Sequence, residues 1–357
     1  MKKIILFASI FACLFTACED DDNDVKIQNG DFQPKSEAVI LYEGSYGQNN
    51  SDLSEFHKGV ISADVYYQAN GKYLGDTGND ILEVGDSYYI AVNGSNSVVK
   101  IDDDTYKEQA RQVVNQPRYL ASDGKYLYVS TYESKVLKLS LADLSVVAEA
   151  KTGAYTEGLA IEGDYLLAAN SGWGGGNTVS VINLKSFETV QEIEVPYNPT
   201  SLMATGKGTI LVKTTAYTAD YSSAVSTISS IDVKSQFAVS TVAEASHMTL
   251  SADGNYVYFA NCMPNYTAYT YQTSFFKYDL GKKEVSKDPV FANDSISTML
   301  SGISLYLFSV NPKNGEIFIG TSDYLTNSAL YVTDKKGNSW VRYSDAGGVN
   351  ASKALFD

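Results

Sequence analysis

The chain has 357 residues, with 27 basic against 42 acidic side chains and a formal net charge of −15. An acidic surface of this kind repels phosphate backbones, which excludes nucleic acid as a natural partner. Only two histidines are present, His57 and His247. Two histidines are too few for a histidine-rich metal site, and they offer few possibilities for a Ser-His-Asp triad.

The first 17 residues are predicted to be a signal peptide. Lys2 and Lys3 precede an apolar stretch, residues 4–16, that is too short to span a bilayer. The small residues before Cys18 resemble the lipobox of bacterial lipoproteins, although Phe15 stands where the commonest lipobox has leucine. The resemblance implies that Cys18 is lipidated and anchors the protein in the outer membrane. An ordinary signal peptide followed by a chance cysteine is the alternative.

Residues 18–36 are predicted to form a flexible acidic stem. Residues 19–24 include five acidic side chains, and a run of like charge stays solvated rather than folding. Acidic residues directly after a lipidated cysteine also resemble the surface-export signal of Bacteroidetes lipoproteins, which implies an outward-facing anchor. With Cys13 removed and Cys18 lipidated, only Cys262 remains, so no disulfide forms within the chain.

From residue 37 onwards the chain repeats a unit of short apolar runs around a glycine turn. The turn glycines are separated by 39, 39, 43, 48 and 61 residues, and they are Gly85, Gly124, Gly163, Gly206, Gly254 and Gly315. Repeats of about 40–50 residues built from short strands are typical of propeller blades. Residues 37–357 are therefore predicted to be one all-β propeller.

The two ends of this region predict how the ring closes. The first unit starts at residues 38–42 without a preceding inner strand, and the tail at residues 348–356 has the pattern of an inner strand with no blade after it. Placing the tail in the first blade gives a seven-bladed ring without exposed strand edges. Because residues 288–302 are ambiguous, counts of six and eight blades remain alternatives.

The loops sort into two faces once each blade is given four antiparallel strands, a to d, from the axis outward. The a–b and c–d turns share one face, and the c–d turns are short and charged, which is typical of a solvated face. The b–c and d–a loops are rich in aromatic and uncharged polar residues and share the other face. The predicted ligand-binding residues on this face are Tyr46, Tyr132, Tyr155, Trp173, Tyr197, Tyr217, Tyr221, Tyr266 and Tyr324, with Arg118 and His247 at the starts of inner strands.

Large flat rings with polar tips suit a flat or ring-shaped neutral ligand, such as a corrin, a flavin-like ring or a sugar. Trp173 is the strongest single candidate, since its glycine-flanked loop at residues 171–177 cannot easily bury so large a ring. The alternative is that several of these rings only pack loop against loop. No base is predicted beside Cys262, and we predict no catalytic residue, metal or cofactor.

The blade pattern resembles the YncE-like seven-bladed propellers, a group that includes the quinoprotein-dehydrogenase-like and surface-layer-like propellers. Residues 41–50 and the lipoprotein start are similar to Bacteroidetes surface propeller lipoproteins, whose best understood members capture cobalamin beside a TonB-dependent transporter. The resemblance implies a non-enzymatic surface protein that captures a small nutrient, a corrinoid first, for such a transporter. A glycan-binding accessory protein, a propeller lactonase or lyase, and an adhesin are the alternatives.

Overall fold

The computed structural model describes residues 26–28, 32–220, 222–265, 267–268, 270–291 and 295–357. The predicted signal peptide, Cys18, Tyr221 and Tyr266 lie outside the described residues. In chain order the strands are β1 (Lys26–Gln28), β2 (Glu37–Tyr42), β3 (Asp52–His57), β4 (Val60–Ser62), β5 (Gly78–Glu83), β6 (Ser87–Val92), β7 (Ser97–Asp102), β8 (Glu108–Val113), β9 (Pro117–Ser122), β10 (Tyr126–Thr131), β11 (Lys135–Ser140), β12 (Val146–Lys151), β13 (Thr156–Glu162), β14 (Tyr165–Asn170), β15 (Thr178–Asn183), β16 (Glu188–Glu194), β17 (Pro199–Ala204), β18 (Thr209–Tyr217), β19 (Ala224–Asp232), β20 (Ala238–Glu244), β21 (His247–Leu250), β22 (Tyr256–Asn265), β23 (Thr270–Asp279), β24 (Glu284–Val285), β25 (Ser304–Val310), β26 (Ile317–Ser322), β27 (Leu330–Thr333), β28 (Trp340–Tyr343) and β29 (Ala351–Phe356).

Among the described residues, helices are few and short. They are α1 (Val65–Asn70) between blades 1 and 2, the single 3₁₀ turn Gly172–Gly174, and α2 (Ser295–Met299) between blades 6 and 7. In the part of the chain that the structure describes, none of them has the length and apolar character needed to cross a membrane.

The strands form seven antiparallel sheets, one for each blade of a propeller. Blades 2 to 6 each take four consecutive strands, beginning with β5, β9, β13, β17 and β21 as their inner strands. Blade 7 runs from β25 outward to β28. The predicted all-β, seven-bladed architecture is confirmed, and the described residues of the ambiguous range 288–302 include helix α2 and no strand.

Blade 1 combines strands from the beginning and the end of the propeller sequence. Its order is β29-β2-β3-β4, so the last strand of the chain supplies its inner strand. β29 pairs antiparallel with β2, from Ala38 opposite Phe356 to Tyr42 opposite Ala351. The predicted closure is therefore confirmed, and it gives the inner edge of β2 a hydrogen-bonded partner.

The chain entering the propeller is held at blade 7. β1 pairs antiparallel with β28 and adds a fifth strand to that blade, within the segment predicted to be a flexible stem. Closer to β2, the buried Glu316 carboxylate accepts the backbone N–H groups of Lys35, at 2.9 Å, and Ser36, at 3.0 Å. Charge-assisted bonds of this kind fix the position at which the chain joins the ring.

The core lies between neighbouring blades. The second strand of a blade is covered on both faces, and every residue of β6 is buried for this reason. Between blades 1 and 2, Leu41 and Leu53 pack with Ile81, Ile90 and other apolar side chains. The outermost strand β8 instead alternates between partly buried and exposed residues, as expected for a strand with one wet face.

A partly exposed ion-pair network joins α1 to the outer strand of blade 2. Arg111 donates to both carboxylate oxygens of Glu108, at 3.2 and 2.8 Å, and Lys72 lies 3.1 Å from the same carboxylate. The Tyr66 hydroxyl from α1 also donates to Glu108. Although burial opposes it, these hydrogen bonds lower the pKa of Glu108 to about 2.

This lowered pKa predicts an acid-dependent loss of stability. A carboxyl whose pKa is lower in the folded state stabilises the fold above its unfolded pKa and loses that contribution as the pH falls through its folded pKa. Because solvent screens the partly exposed partners Lys72 and Arg111, we expect Glu108→Gln to lower the free energy of unfolding by only about 1 kcal/mol at pH 7. The difference from wild type shrinks between about pH 4.5 and pH 2, measured by urea unfolding at several pH values.

Glu188→Gln on the outer strand of blade 4 is the control, since its exposed side chain has no ion pair within the described residues. It is expected to change stability by less than about 0.5 kcal/mol at every pH. A Glu108→Gln difference that stays constant down to pH 2 contradicts the prediction.

Candidate ligand-binding site

Repeated β-bulges build the mouth of the ring. In six blades the pairing between the inner strand and its neighbour shifts register near the start of the inner strand. A bulge leaves a residue outside the ladder and redirects its side chain. The residues at these shifts are Asn79, Arg118, Glu157, Thr200, Tyr306 and Ser352. Several of them form the polar contacts described next.

Arg118 and Glu157 form a buried ion pair at this mouth. Arg118 Nε donates to Glu157 Oε2 at 2.8 Å, and the Tyr132 hydroxyl donates to Glu157 Oε1 at 2.7 Å. The Arg118 guanidinium also lies 4.8 Å from the centre of the Tyr132 ring. Burial opposes the charge of Arg118, but Glu157 and the neighbouring tyrosines keep its pKa above the ordinary value.

Three predicted aromatic residues meet above this ion pair. The ring centres of Tyr132 and Tyr155 are 5.2 Å apart, and Trp173 lies 5.7 Å from Tyr132 and 5.4 Å from Tyr155. Such separations are typical of favourable aromatic contacts. We call Tyr132, Tyr155 and Trp173 the aromatic cluster. Its outermost member, Trp173, is 72% exposed, so the cluster presents an open apolar surface to solvent.

The loop that carries Trp173 has a strained backbone. Gly172, Trp173 and Gly174 have φ values of 57°, 56° and 92°, a run of three left-handed residues not repeated in any other b–c loop of the described chain. Left-handed geometry is costly for a tryptophan and often marks a functional position. Tyr155 also has a left-handed backbone, but this geometry is not specific to it. The same geometry recurs just before the inner strands of other blades, at Thr77, Gln116, Asn198 and Asn350.

The other side of the mouth is formed by blades 5 to 7. Tyr217, Tyr324 and His247 line a cavity of ≈ 300 Å³ together with Lys213 and Tyr306. The Tyr306 hydroxyl donates to Glu43 Oε2 at 2.7 Å, and the Tyr306 ring lies 5.8 Å from that of Tyr324. Burial, reinforced by the charge of Lys213, lowers the pKa of His247 to about 3, so this histidine is neutral.

Below the mouth, the axis of the ring holds a second cavity of ≈ 310 Å³. Inner-strand residues of all seven blades line it, which places it on the propeller axis. Lys213, Ser246, His247 and Tyr306 belong to both cavities. The two spaces therefore meet at these four residues, beneath the aromatic face.

The structure brings most of the predicted residues into two groups. Arg118 lies with the aromatic cluster, and His247 lies with Tyr217 and Tyr324 around the mouth cavity. Tyr46 and Tyr197 lie on loops of the same face, where they are 86% and 63% exposed. That these residues contact a ligand stays a prediction.

Sequence reasoning missed the polar residues beneath the rings, namely Glu43, Glu157, Lys213 and Tyr306. Lys213 carried a signal, because it is a single charged residue in the otherwise uncharged strand β18. Glu157 and Tyr306 carried none, since a bulge determines where their side chains lie. Among the described residues, no group of three or more His, Cys, Asp or Glu side chains is placed to hold a metal ion.

A larger cavity of ≈ 540 Å³ lies on the opposite face, between the turns of blades 6 and 7. Four lysines line it: Lys277, Lys313, Lys335 and Lys336. Three of them are exposed, and the half-buried Tyr258 is its one aromatic lining residue. It lacks the exposed aromatic rings that the other face presents, so the aromatic face remains the candidate.

Solved structures from several organisms share this fold. A Quinonprotein alcohol dehydrogenase-like protein from Bacteroides thetaiotaomicron is 17% identical, with a TM-score of 0.63 over 91% of this chain and 79% of that chain. The periplasmic gluconolactonase of Pseudomonas aeruginosa is 13% identical, with a TM-score of 0.57 over 90% and 99%. Kuenenia stuttgartiensis hydrazine synthase is 19% identical, with a TM-score of 0.58 over 72% and 76%. At these identities the similarity shows the fold alone.

None of the curated proteins compared with the chain matches it. A family match does cover the whole ring, from residue 38 to residue 356. The chain therefore belongs to the DUF5074 family, a domain of unknown function.

Proposed function

We propose that the aromatic face of this propeller captures a small ring-shaped nutrient, a corrinoid first, and performs no reaction on it. The observation that carries the proposal is the aromatic cluster, whose exposed tryptophan is held outward by a strained loop. A flat apolar surface with hydroxyl groups at its edge suits a macrocycle with polar substituents.

The dimensions of the mouth favour binding across the surface. Each of the two cavities has a volume of about 300 Å³. Pockets for drug-sized ligands occupy about 300–1,000 Å³, and a corrinoid is larger than most drugs. A corrinoid would therefore rest on the aromatic cluster and the exposed loop tyrosines, with the axial cavities below it.

The charges of the mouth support binding rather than catalysis. The Glu157 carboxylate is held by Arg118 and Tyr132, and Glu43 accepts from Tyr306. These groups stabilise the loops that present the rings. A general acid or base needs an available proton-transfer position near the substrate. The gluconolactonase likeness, at 13% identity, assigns no activity to this chain.

The proposed location follows from the predicted lipid on Cys18 and the acidic run after it. An outward-facing lipid anchor would hold the propeller at the outer membrane, where a TonB-dependent transporter is the natural recipient of a captured nutrient.

Glycan binding is the second candidate, because exposed aromatic side chains also stack on sugar rings. Trp173, Tyr197 and Tyr46 are separately exposed on the same face, which suits an extended chain of sugars. A glycan array separates the two candidates: binding of an oligosaccharide that Trp173→Ala abolishes, without cyanocobalamin binding, favours the glycan.

Isothermal titration with cyanocobalamin tests the first candidate. We expect Trp173→Ala to weaken binding at least about tenfold, because stacking on a large exposed ring contributes strongly to affinity. Trp173→Phe retains a ring and is expected to keep most of the affinity. Val60→Ala, at the c–d turn of blade 1 on the opposite face, is the control and leaves binding unchanged. No heat of binding at micromolar wild-type protein overturns the corrinoid proposal.

A further inference from the structure

Charged side chains around the axial cavity are paired, with one exception. Lys353 and Asp80 both line it, and Lys353 Nζ lies 2.6 Å from Asp80 Oδ1. The Lys213 side chain lines the same cavity, but its ammonium group forms no hydrogen bond or ion pair within the described part of the chain. The axial cavity therefore holds one ammonium group for which those residues supply no counter-charge.

The nearby acid, Glu157, forms no ion pair with Lys213. Glu157 is only 6% exposed, and its two oxygens are occupied by Arg118 and Tyr132. Its charge acts on Lys213 over a longer range and raises the pKa, but burial dominates and lowers it. His247 beside it is neutral and supplies no negative charge.

The position of Lys213 is set by the fold. It lies on β18 opposite the bulge in β17, where the register shifts between Pro199 and Ser201. Its side chain lines both the axial cavity and the mouth cavity, so it stands where the two meet. A ligand entering from the aromatic face therefore reaches this amine before it reaches the rest of the axis.

The surroundings of Lys213 are otherwise mainly uncharged. Leu159, Leu202, Met203, Met248 and Leu307 contribute to the wall of the axial cavity. An ammonium group removed from water is unfavourable unless an opposite charge and hydrogen-bond acceptors compensate it. A ligand oxyanion supplies both.

We propose that the axial cavity is a separate binding site for a small carboxylate, whose oxygens pair with Lys213 Nζ while its carbon skeleton packs on the apolar wall. The cavity volume of ≈ 310 Å³ suits a compact acid. This site differs in ligand class from the aromatic cluster, which favours neutral rings. The proposed carboxylate site does not depend on corrinoid or glycan binding at the aromatic cluster.

Matched ligand pairs test the proposal with the purified full chain. The pairs are acetate and acetamide, benzoate and benzamide, and glucuronate and glucose, each titrated by calorimetry and by thermal shift. We expect at least one carboxylate to bind about tenfold or more tightly than its neutral partner, because a charge-assisted contact forms only with the acid. Lys213→Met is expected to remove this preference, and Lys213→Arg to retain part of it.

Lys185→Met is the matched control, since it makes the same charge change on the exposed c–d turn of blade 4, on the opposite face. It should leave the preference unchanged. The proposal is overturned if no acid is preferred over its neutral partner, or if Lys213→Met keeps the preference while its thermal unfolding shows that it is folded. Because acetate is small enough for the cavity, failure of all three pairs is not a matter of size.

The result of this carboxylate test does not depend on ligand binding at the aromatic cluster. Loss of cyanocobalamin binding in Trp173→Ala with an intact carboxylate preference supports two distinct sites. If Trp173→Ala abolishes the carboxylate preference and Lys213→Met does not, the anion binds at the aromatic cluster. That result would overturn the assignment of the carboxylate site to the axial cavity.

Discussion

Deleting residues 351–357 is expected to abolish the cooperatively folded state of the propeller. The deletion removes β29, the inner strand of blade 1, and exposes the edge of β2. It also removes the Phe356 ring, whose centre lies 5.0 Å from that of Phe318 in blade 7, so the contact across the closure is lost. We expect a loss of more than about 5 kcal/mol, which is comparable to the whole stability of a typical domain.

Circular dichroism and urea unfolding measure this effect, with size-exclusion chromatography to detect association through the exposed edge. Deletion of Asp357 alone is the control, because it leaves β29 intact and is expected to have a small effect. A truncated chain that keeps the wild-type unfolding midpoint would show that β29 contributes little to the stability of the propeller.

Replacing Arg118 with methionine is expected to lower stability by about 3 kcal/mol and the midpoint of thermal unfolding by about 5 °C. The variant leaves the Glu157 carboxylate buried with only the Tyr132 hydroxyl as a side-chain donor. It also removes the guanidinium that lies against the Tyr132 ring, which supports the aromatic cluster. Much of the cost therefore comes from the unpaired acid.

The double variant Arg118→Met/Glu157→Gln tests that explanation, because it removes both charges and should recover much of the lost stability. Lys135→Met is the control, since Lys135 pairs with Glu133 and Glu149 at the solvent-accessible side of the same blade. It is expected to cost less than about 1 kcal/mol. A double variant as unstable as the single one would show that the guanidinium itself stabilises the mouth.

The ring could be predicted from the sequence because its signals are local and repeated. Each short apolar run indicates a strand and each glycine turn indicates a connection between strands. The repetition of this pattern along the chain strengthens the prediction. Closure by β29 was also predictable, since an unpaired first blade and a surplus tail leave one satisfactory pairing. The pairing of β1 with β28 was not, because a three-residue strand carries no pattern of its own.

The candidate site was predictable only in part. Which loops share a face follows from antiparallel alternation, so Trp173 and Tyr132 were placed correctly on one side of the ring. Their contact with each other and with Arg118 depends on loop conformations and on bulges, which have no period in the sequence. The same bulges place Glu157 and Tyr306 at the mouth.

By itself, the sequence determined the repeat, the strand character, the closure and the aromatic composition of one face, because these depend on neighbours along the chain. Only the tertiary structure decided which side chains meet at the axis and which charges find partners there. Arg118 and Glu157 are 39 residues apart and become an ion pair because adjacent blades bring their inner strands together. Lys213 remains without a counter-charge among the described residues for the same reason, since its surroundings come from blades that are distant along the chain.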